Sequence, residues 1–402
     1  KNKLNYIFLI FIFNYFINFN ANGADIFNFD VKELEIIEEG NKFIGKNGGT
    51  VTSEDGTAIK EKNFEYGKIK NMLIAFGNVE IIDEKENIII KSQKITYLKN
   101  NEFFFTNGKS KAISTGIVID ADNFEYNKIK NIINAYGNVK IDNHDENYLI
   151  YTDEATYQKN KDVFTTKGKS KAINEGIIID ADNFEYNKSN NVINANGNVA
   201  IDNKDENYLI YADDATYLKN EQLFLTKGQS KAINEDIVIN GDNFEYNRID
   251  NTINAEGNVK IEDTLNDYLI LTNEAKYYKN SEKVITQGET KADIQSKYYI
   301  TSKDVTYLHE KKIISSQNKT KLQDQKSQVY FADKFNYSIN QEIIKGENFL
   351  IITNYNLPKS DKFFLENAII DLKENKFIAK NTKIKVHKDI FDNSENDPRI
   401  NL

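Results

Sequence analysis

Residues 178–235, IIDADNFEYNKSNNVINANGNVAIDNKDENYLIYADDATYLKNEQLFLTKGQSKAINE, nearly copy the stretch sixty residues before them. Asn-Phe-Glu-Tyr recurs at 63–66, 123–126, 183–186 and 243–246, and Gly-Asn-Val at 77–79, 137–139, 197–199 and 257–259. Each block holds its own half-copy: Tyr186 precedes Gly197 by eleven residues, as Tyr217 precedes Gly228. Glycines at 77, 108, 137, 168, 197, 228, 257 and 288 alternate spacings of 31 and 29. A fixed period of this kind marks a repeat architecture, in which a unit buries its apolar face only against its neighbours.

Inside a unit the period is two. From Ile193 to Ile201 the odd positions are Ile193, Ala195, Gly197, Val199 and Ile201, whereas Asn194, Asn196, Asn198 and Asp202 fall between them. That alternation predicts a strand with one apolar face; a helix would need three- and four-residue spacings. The preceding strand slips phase. Ile179 and Ala181 share one phase, Phe184 and Tyr186 the other, and the slip falls at Asp182–Asn183. The same slip separates Ile210 and Ala212 from Ala215 and Tyr217 at Asp213–Asp214. One extra residue at a fixed place reads as a bulge, opposite a glycine that permits a sharp bend. Short polar turns at Asn187–Asn191, Asn203–Asn207 and Lys219–Asn220 join antiparallel neighbours. Stacked bent hairpins of about 30 residues give an elongated, all-β, folded-over antiparallel sheet with an apolar interior. A closed core is the plainer form of that interior and an open groove the functional one; periodicity leaves both open.

The recurring Ile-x-Ala-Asp-x-x-x-Tyr, followed eleven residues on by Ala/Thr-x-Gly-Asn-Val-x-Ile, resembles the organic-solvent-tolerance (OstA-like) repeat over about residues 24–400. That family comprises a periplasmic lipopolysaccharide-transport bridge protein and the periplasmic N-terminal half of an outer-membrane lipopolysaccharide-assembly protein. Both ends resemble the latter. Phe29-Asp30-Val31, Glu35-Ile36, Gly40-Asn41-Lys42 and Gly48-Gly49 are similar to its mature start, and Lys383-Ile384-Lys385-Val386-His387-Lys388-Asp389 with Asn396-Asp397-Pro398-Arg399 to its lead into a membrane barrel. The resemblance implies a bent β-jellyroll, or β-taco, that carries lipopolysaccharide to the outer membrane. It implies a like-folded bridge protein on the N-terminal sheet edge, and an outer-membrane barrel with its lipoprotein partner at the other end. It also implies a barrel beyond Leu402, and a start at Lys1 rather than Met suits an incomplete record. The family often uses disulfides between its halves; this chain has no cysteine, so disulfide-controlled maturation is not expected.

Composition bounds the rest. The 402 residues are 40% hydrophobic and 12% aromatic, enough for a sizeable interior, and two prolines leave nearly every N–H free for ladders. A net charge of −9 argues against nucleic acid, and against a broad electrostatic grip on anionic head groups. Residues 1–23 read as a secretory signal for export to the periplasm: Lys1 and Lys3, an apolar run from Leu4 to Phe19 broken by three Asn, then Ala21 and Gly23 before a cut at Ala24. Residues 24–345 hold the repeats, opening irregularly with a tight turn expected at Asn47-Gly48-Gly49. Residues 346–402 read as degenerate strands around Phe363–Leu372 and Lys376–Val386, then a polar linker.

No chemistry-bearing motif emerges, and no cofactor is expected. Lys167-Gly168-Lys169-Ser170 lacks the earlier glycine of a phosphate loop, since Val163 stands there. Asp142-Asn143-His144-Asp145-Glu146 and Asp202-Asn203-Lys204-Asp205-Glu206 lack the glycine and distal Glu of a calcium loop and read as solvated turns. His144, His309 and His387 are isolated in sequence, with no consistent acidic partner expected. Asp182 and Asp213 recur at bends, where an Asp bonding its own backbone explains them more simply than a carboxylate pair.

The function left is physical. Apolar surface costs about 0.8 kcal/mol per methylene in water, so a twelve-carbon acyl chain costs roughly 10 kcal/mol. An apolar trough removes that cost, and near-identical repeats let the ligand slide. The expected lining is Ile119, Ala121, Phe124, Tyr126, Ile133, Ala135, Val139 and Ile141, then Ile179, Ala181, Phe184, Tyr186, Ile193, Ala195, Val199 and Ile201, with Ile210, Ala212 and Tyr217 from the half-copy. Two rivals stand beside it. A structural or adhesive array would have a solid core; a polysaccharide-acting enzyme on a parallel β-helix would have parallel rungs.

Overall fold

The computed structural model describes residues 27–387 and 399–401. The expected signal at 1–23 and positions 388–398 of the tail lie outside the described residues. The chain divides into two compact units, Lys1–Tyr136 and Gly137–Leu402.

In the second unit, Val192–Asn203 forms one strand in which Ile193, Ala195, Val199 and Ile201 are buried while Asn196 and Asn198 are exposed. Its first half pairs with Asn183–Asn187 and its second with Ile177–Ala181. On the other side Tyr208–Leu218 pairs along both halves. Leu223–Lys227 and Ser230–Asn234 then pair with the two halves of Tyr208–Leu218. The order continues through Thr252–Asp263 and Tyr268–Tyr278 to Lys362–Asp371 with Lys376–Lys385, on which Arg399–Asn401 pairs in turn. Every pairing described is antiparallel, which overturns the parallel β-helix rival. This is the expected antiparallel β-jellyroll, a meander of bent strands about 30 residues per hairpin.

In the second unit each long strand crosses a line of bends, here called the spine, and each pair of short strands meets there, so that both contribute to two wings. Wing A contains 183–187, 192–196 and 214–218; wing B contains 177–181, 199–203 and 208–212. At the spine the pairing jumps from Asn196↔Asp214 to Val199↔Ala212, so Gly197 and Asn198 oppose Asp213 alone. Both take positive φ, 75° and 51°, which Gly and Asn adopt most readily. The jump recurs between Glu256 and Val259. The extra residue therefore lies on the Gly-Asn strand, not at Asp182–Asn183 as the phase slip suggested. There the chain merely steps from one wing to the other, leaving Ala181 and Phe184 both buried. The turns at 188–191, 204–207 and 219–222 close the wing tips at the expected places.

The first unit follows the same rules. Met72–Asp83 and Ile88–Leu98 pair along their length with a jump between Phe76 and Val79. The irregular opening resolves into two full strands, Asn28–Ile37 and Lys42–Thr52. Asn47-Gly48-Gly49 is not a turn: it sits inside Lys42–Thr52, with Asn47 and Gly48 at φ 65° and 94° and a register jump between Val31 and Glu33. The chain bends there as at the other Gly-Asn sites, so a turn signature marks a spine position.

Candidate functional site

The interior is layered from spine to opposite edge. Nearest the spine, in the second unit, lies a ladder of buried hydroxyls. Thr166 Oγ1 accepts the Phe184 N–H at 2.7 Å and lies 2.7 Å from Ser170 Oγ, which is 3.0 Å from Thr152 Oγ1. Thr226 repeats this with Phe244 N–H at 2.9 Å and Ser230 at 2.6 Å, and Thr286 with Val305 N–H at 2.9 Å and Thr290 at 2.6 Å. A backbone bent by a bulge loses ladder partners; these hydroxyls replace them where water has no access. Asp182 serves the same bend from outside. Its N–H donates to Gly197 O at 2.9 Å and its carboxylate accepts from Asn198 Nδ2 at 2.9 Å. The carboxylate of Asp182 is thus held by the amide of the facing Asn, and Asp242 repeats the contact with Asn258 at 3.0 Å.

The middle layer is apolar. Within the second unit Val139, Ile141, Ile179, Ala181, Phe184, Tyr186, Ile193, Ala195, Val199, Ile201, Ile210, Ala212 and Tyr217 are all buried, Ala181 being the most exposed at 8%. In the first unit Ile119, Ala121, Phe124, Tyr126, Ile133 and Ala135 are buried likewise. Sequence reasoning omitted Phe224, Tyr208 and Tyr246, which share this layer. Tyr217 stacks on Phe224 with ring centres 4.1 Å apart, and Tyr208 meets Tyr246 of the opposite wing at 5.1 Å. The inward side chains pack on one another, so the interior is filled by the chain itself.

The third layer is a polar seam between the wing tips, and sequence reasoning missed it. Asn203 Nδ2 of wing B donates to Tyr246 Oη of wing A at 2.9 Å. Tyr277 Oη donates to Asn234 at 3.2 Å and Tyr307 Oη to Asp263 at 2.7 Å. Burial pushes the Tyr246 hydroxyl up to about 12, so these phenols are neutral donors or acceptors at neutral pH. Beyond them, Lys219 Nζ lies 2.7 Å from both the Glu146 carboxylate and its carbonyl oxygen, and Asn191 Nδ2 donates to the same carboxylate at 3.3 Å. Sixty residues on, Lys279 and Asn251 hold Glu206 at 3.3 and 2.8 Å. The Lys219 hydrogen bond, chief among several contacts, holds Glu146 below the usual carboxylate range. Burial opposes ionisation of Asp263, but hydrogen bonds from Tyr307 and Asn266 and the nearby His309 charge outweigh it. His309 Nδ1 is 3.0 Å from Asp263, so this histidine does have an acidic partner. Every seam link named here is made by a side chain, and several join residues 43, 45 or 73 positions apart. The two apolar wings are thus hinged by backbone at the spine and latched by side chains at the seam.

Among the described residues no group of three potential metal ligands occurs, and no helix is long and apolar enough to cross a membrane. A cleft of about 830 Å³ opens on the outside of wing B among Lys140, Tyr151, Lys171 and Asp180; Lys171 and Asp180 pair there at 2.9 Å.

No protein-family model matches the sequence, and no curated protein matches it. Among solved structures the chain is similar to LptH of Pseudomonas aeruginosa, described as the LptA-homologous periplasmic component of a lipopolysaccharide transport device. The two are 15% identical, with a TM-score of 0.25, over 28% of this chain and 82% of that one.

Proposed function

We propose that this chain is a non-catalytic periplasmic conduit that holds the acyl chains of lipopolysaccharide between its wings and passes the lipid toward the outer membrane. The observation that carries it is the construction of the interior: an apolar layer repeated from strand to strand, hinged by backbone along one side and latched by side chains along the other. Opening the seam in water would expose the apolar layer, at about 25 cal/mol per Å². Acyl chains entering between the wings would cover that surface again, so the lipid itself makes the open form favourable. Neighbouring repeats present nearly the same residues, which favours sliding over fixed binding. The sequence resemblance to OstA-like repeats supports the same cargo. It also supports a like-folded bridge protein pairing with the edge strand Asn28–Ile37, whose described pairing is to Lys42–Thr52, and an outer-membrane barrel with its lipoprotein at the other end.

A scaffold with a permanently closed core is the second reading, favoured by the burial of the inward side chains against one another. Photocrosslinking in a lipopolysaccharide-producing cell separates the two. Val199 is buried at 1% exposure and its neighbour Asn198 is exposed. Lipopolysaccharide adducts from a crosslinker at 199, and none at 198, are expected of the conduit. Absence of adducts at 199 in folded, exported protein would leave the scaffold.

A further inference from the structure

From Tyr66 to Tyr307 the residue two places after each inward tyrosine of wing A is basic, and the series ends at Tyr337, which Ile339 follows. In the second unit the series is Lys159, Lys188, Lys219, Arg248, Lys279 and then His309, each following Tyr157, Tyr186, Tyr217, Tyr246, Tyr277 and Tyr307 by two. The first unit has its own series, Lys68, Lys99 and Lys128, after Tyr66, Tyr97 and Tyr126. Because a tyrosine and the residue two beyond it share a face, each cation stands at the wing tip just outside a buried phenol. Such tips recur every second strand, a spacing of about 10 Å.

The cation repeats at every one of these positions, whereas its partner varies. Lys219 and Lys279 face Glu146 and Glu206, Lys188 lies 3.7 Å from Asp145, and Arg248 meets Tyr217 Oη at 3.3 Å. In the first unit Lys128 reaches Asp83 at 3.1 Å. Lys99 is 8% exposed and stands 4.8 Å from the Phe27 ring centre, and among the described residues its Nζ has no hydrogen-bond acceptor. Lys219 and Lys279 take their glutamate from 73 positions earlier; the same step back from Lys99 reaches Ile26, beside Asp25, both outside the described residues. The cation keeps its place whether it faces a carboxylate, as Lys219 does, or a phenol, as Arg248 does, which suits an anion that arrives from elsewhere when the wings part.

We propose that the second-unit positions form a cationic rail along that unit's seam that receives the phosphate groups of the lipid head, and that Glu146 and Glu206 occupy the rail while the seam is closed. This rests on the conduit reading and adds selectivity to it. Parting the wings separates Lys219 from Glu146 and Lys279 from Glu206. A phosphorylated amphiphile supplies a replacement acceptor at the moment its acyl chains cover the apolar layer; a neutral one leaves the lysines unpaired. The net charge of −9 is no obstacle, because beyond about 8 Å screening at physiological salt leaves the local lip charges in control.

The test is equilibrium binding of fluorescent lipid A, in its diphosphorylated and enzymatically dephosphorylated forms, to the full chain. The phosphorylated form is expected to bind about tenfold tighter. The double change Lys219→Gln with Lys279→Gln should pull the two affinities together, and Lys219→Arg with Lys279→Arg should restore the gap. Glu146→Gln with Glu206→Gln should shift affinity for the phosphorylated lipid the other way, upward, which damage to folding would not do. Equal binding of both lipids by the unaltered chain overturns the rail and leaves the conduit standing. Binding of neither lipid overturns the conduit, and the rail with it. Deacylated diphosphorylated disaccharide binding as tightly as the lipid would make this a free-anion site and overturn the head-group assignment.

Discussion

Glu61 is the residue most at odds with its surroundings. It ends the strand Ala58–Glu61, is 6% exposed, and among the described residues neither carboxylate oxygen has a hydrogen-bond partner. The corresponding place sixty residues on is Ala121, and sixty further Ala181. Opposite it in the ladder stands Gly49. Burial raises its carboxyl from an ordinary 4.5 to about 8, so the folded chain holds a proton that the unfolded chain gives up across that window. Stability from this group is complete below pH 4.5 and is lost as pH rises toward 8. Glu61→Gln is expected to flatten that slope and to gain roughly 2 kcal/mol above pH 8, the full shift being discounted for partial access of water. Denaturation of both forms at pH 5 and pH 9 checks it; parallel pH dependences would refute the buried acid. Gly197 is the opposite case, a residue its surroundings require. Its φ is 75°, and an added Cβ would lie 2.4 Å from Asp182 Oδ2. Gly197→Ala should cost about 1–3 kcal/mol. Gly67→Ala, with nothing within 4 Å, should stay within about 0.5 kcal/mol, which makes the pair a measurement of the bend rather than of glycine content.

At the scale of the element, the unit of construction is a strand bent at its middle, and its weak point is the backbone left unpaired there. Thr166 supplies what the bend removes by accepting the Phe184 N–H and meeting Ser170. Thr166→Val keeps the shape and strips the hydroxyl, so a buried N–H loses its acceptor, at about 1–3 kcal/mol. Thr166→Ser should recover most of it in urea denaturation; equal loss in both would assign the effect to the methyl group instead. The bent strand was legible in sequence because its determinants are local. Ile193, Ala195, Val199 and Ile201 declare their face by alternation, and Gly197-Asn198 declares the bend by residue type. The side of the bulge was not legible: a phase slip within one strand says nothing of the register against its partner, and only the pairing Val199↔Ala212 decides it. Asn47-Gly48-Gly49 misled for a related reason, since a left-handed residue serves a hairpin turn and a spine bend equally well. The hydroxyls of Thr166 and Ser170 fall where Ala or Val would suit a simple alternating strand, a departure that could have pointed to the ladder.

For the wings of the second unit as a whole, closure depends on contacts that no window along the chain contains. Glu146 meets Asn191 across 45 positions and Lys219 across 73; such pairs exist only once both wings have formed and folded together, so the sequence displayed the basic series without its counterparts. Partly exposed ion pairs of this kind contribute about 0–1 kcal/mol each, far less than the apolar layer they cover. On the conduit proposal, lipid entry is therefore expected to proceed by parting the seam, with the spine intact. The chain has no cysteine, which makes this testable by closing the seam covalently. Asn191→Cys with Glu146→Cys, joined by a short cleavable thiol reagent, ties wing A to wing B. Asn194→Cys with Thr216→Cys, whose native side chains meet at 2.9 Å on wing A alone, is the matched control. Lipopolysaccharide adducts at position 199 should disappear when the seam pair is joined, return when the reagent is cleaved, and persist throughout in the control. Adducts that persist with the seam joined would mean that lipid reaches Val199 along the axis of the strand stack, and that the latch of lysines and glutamates has no part in entry.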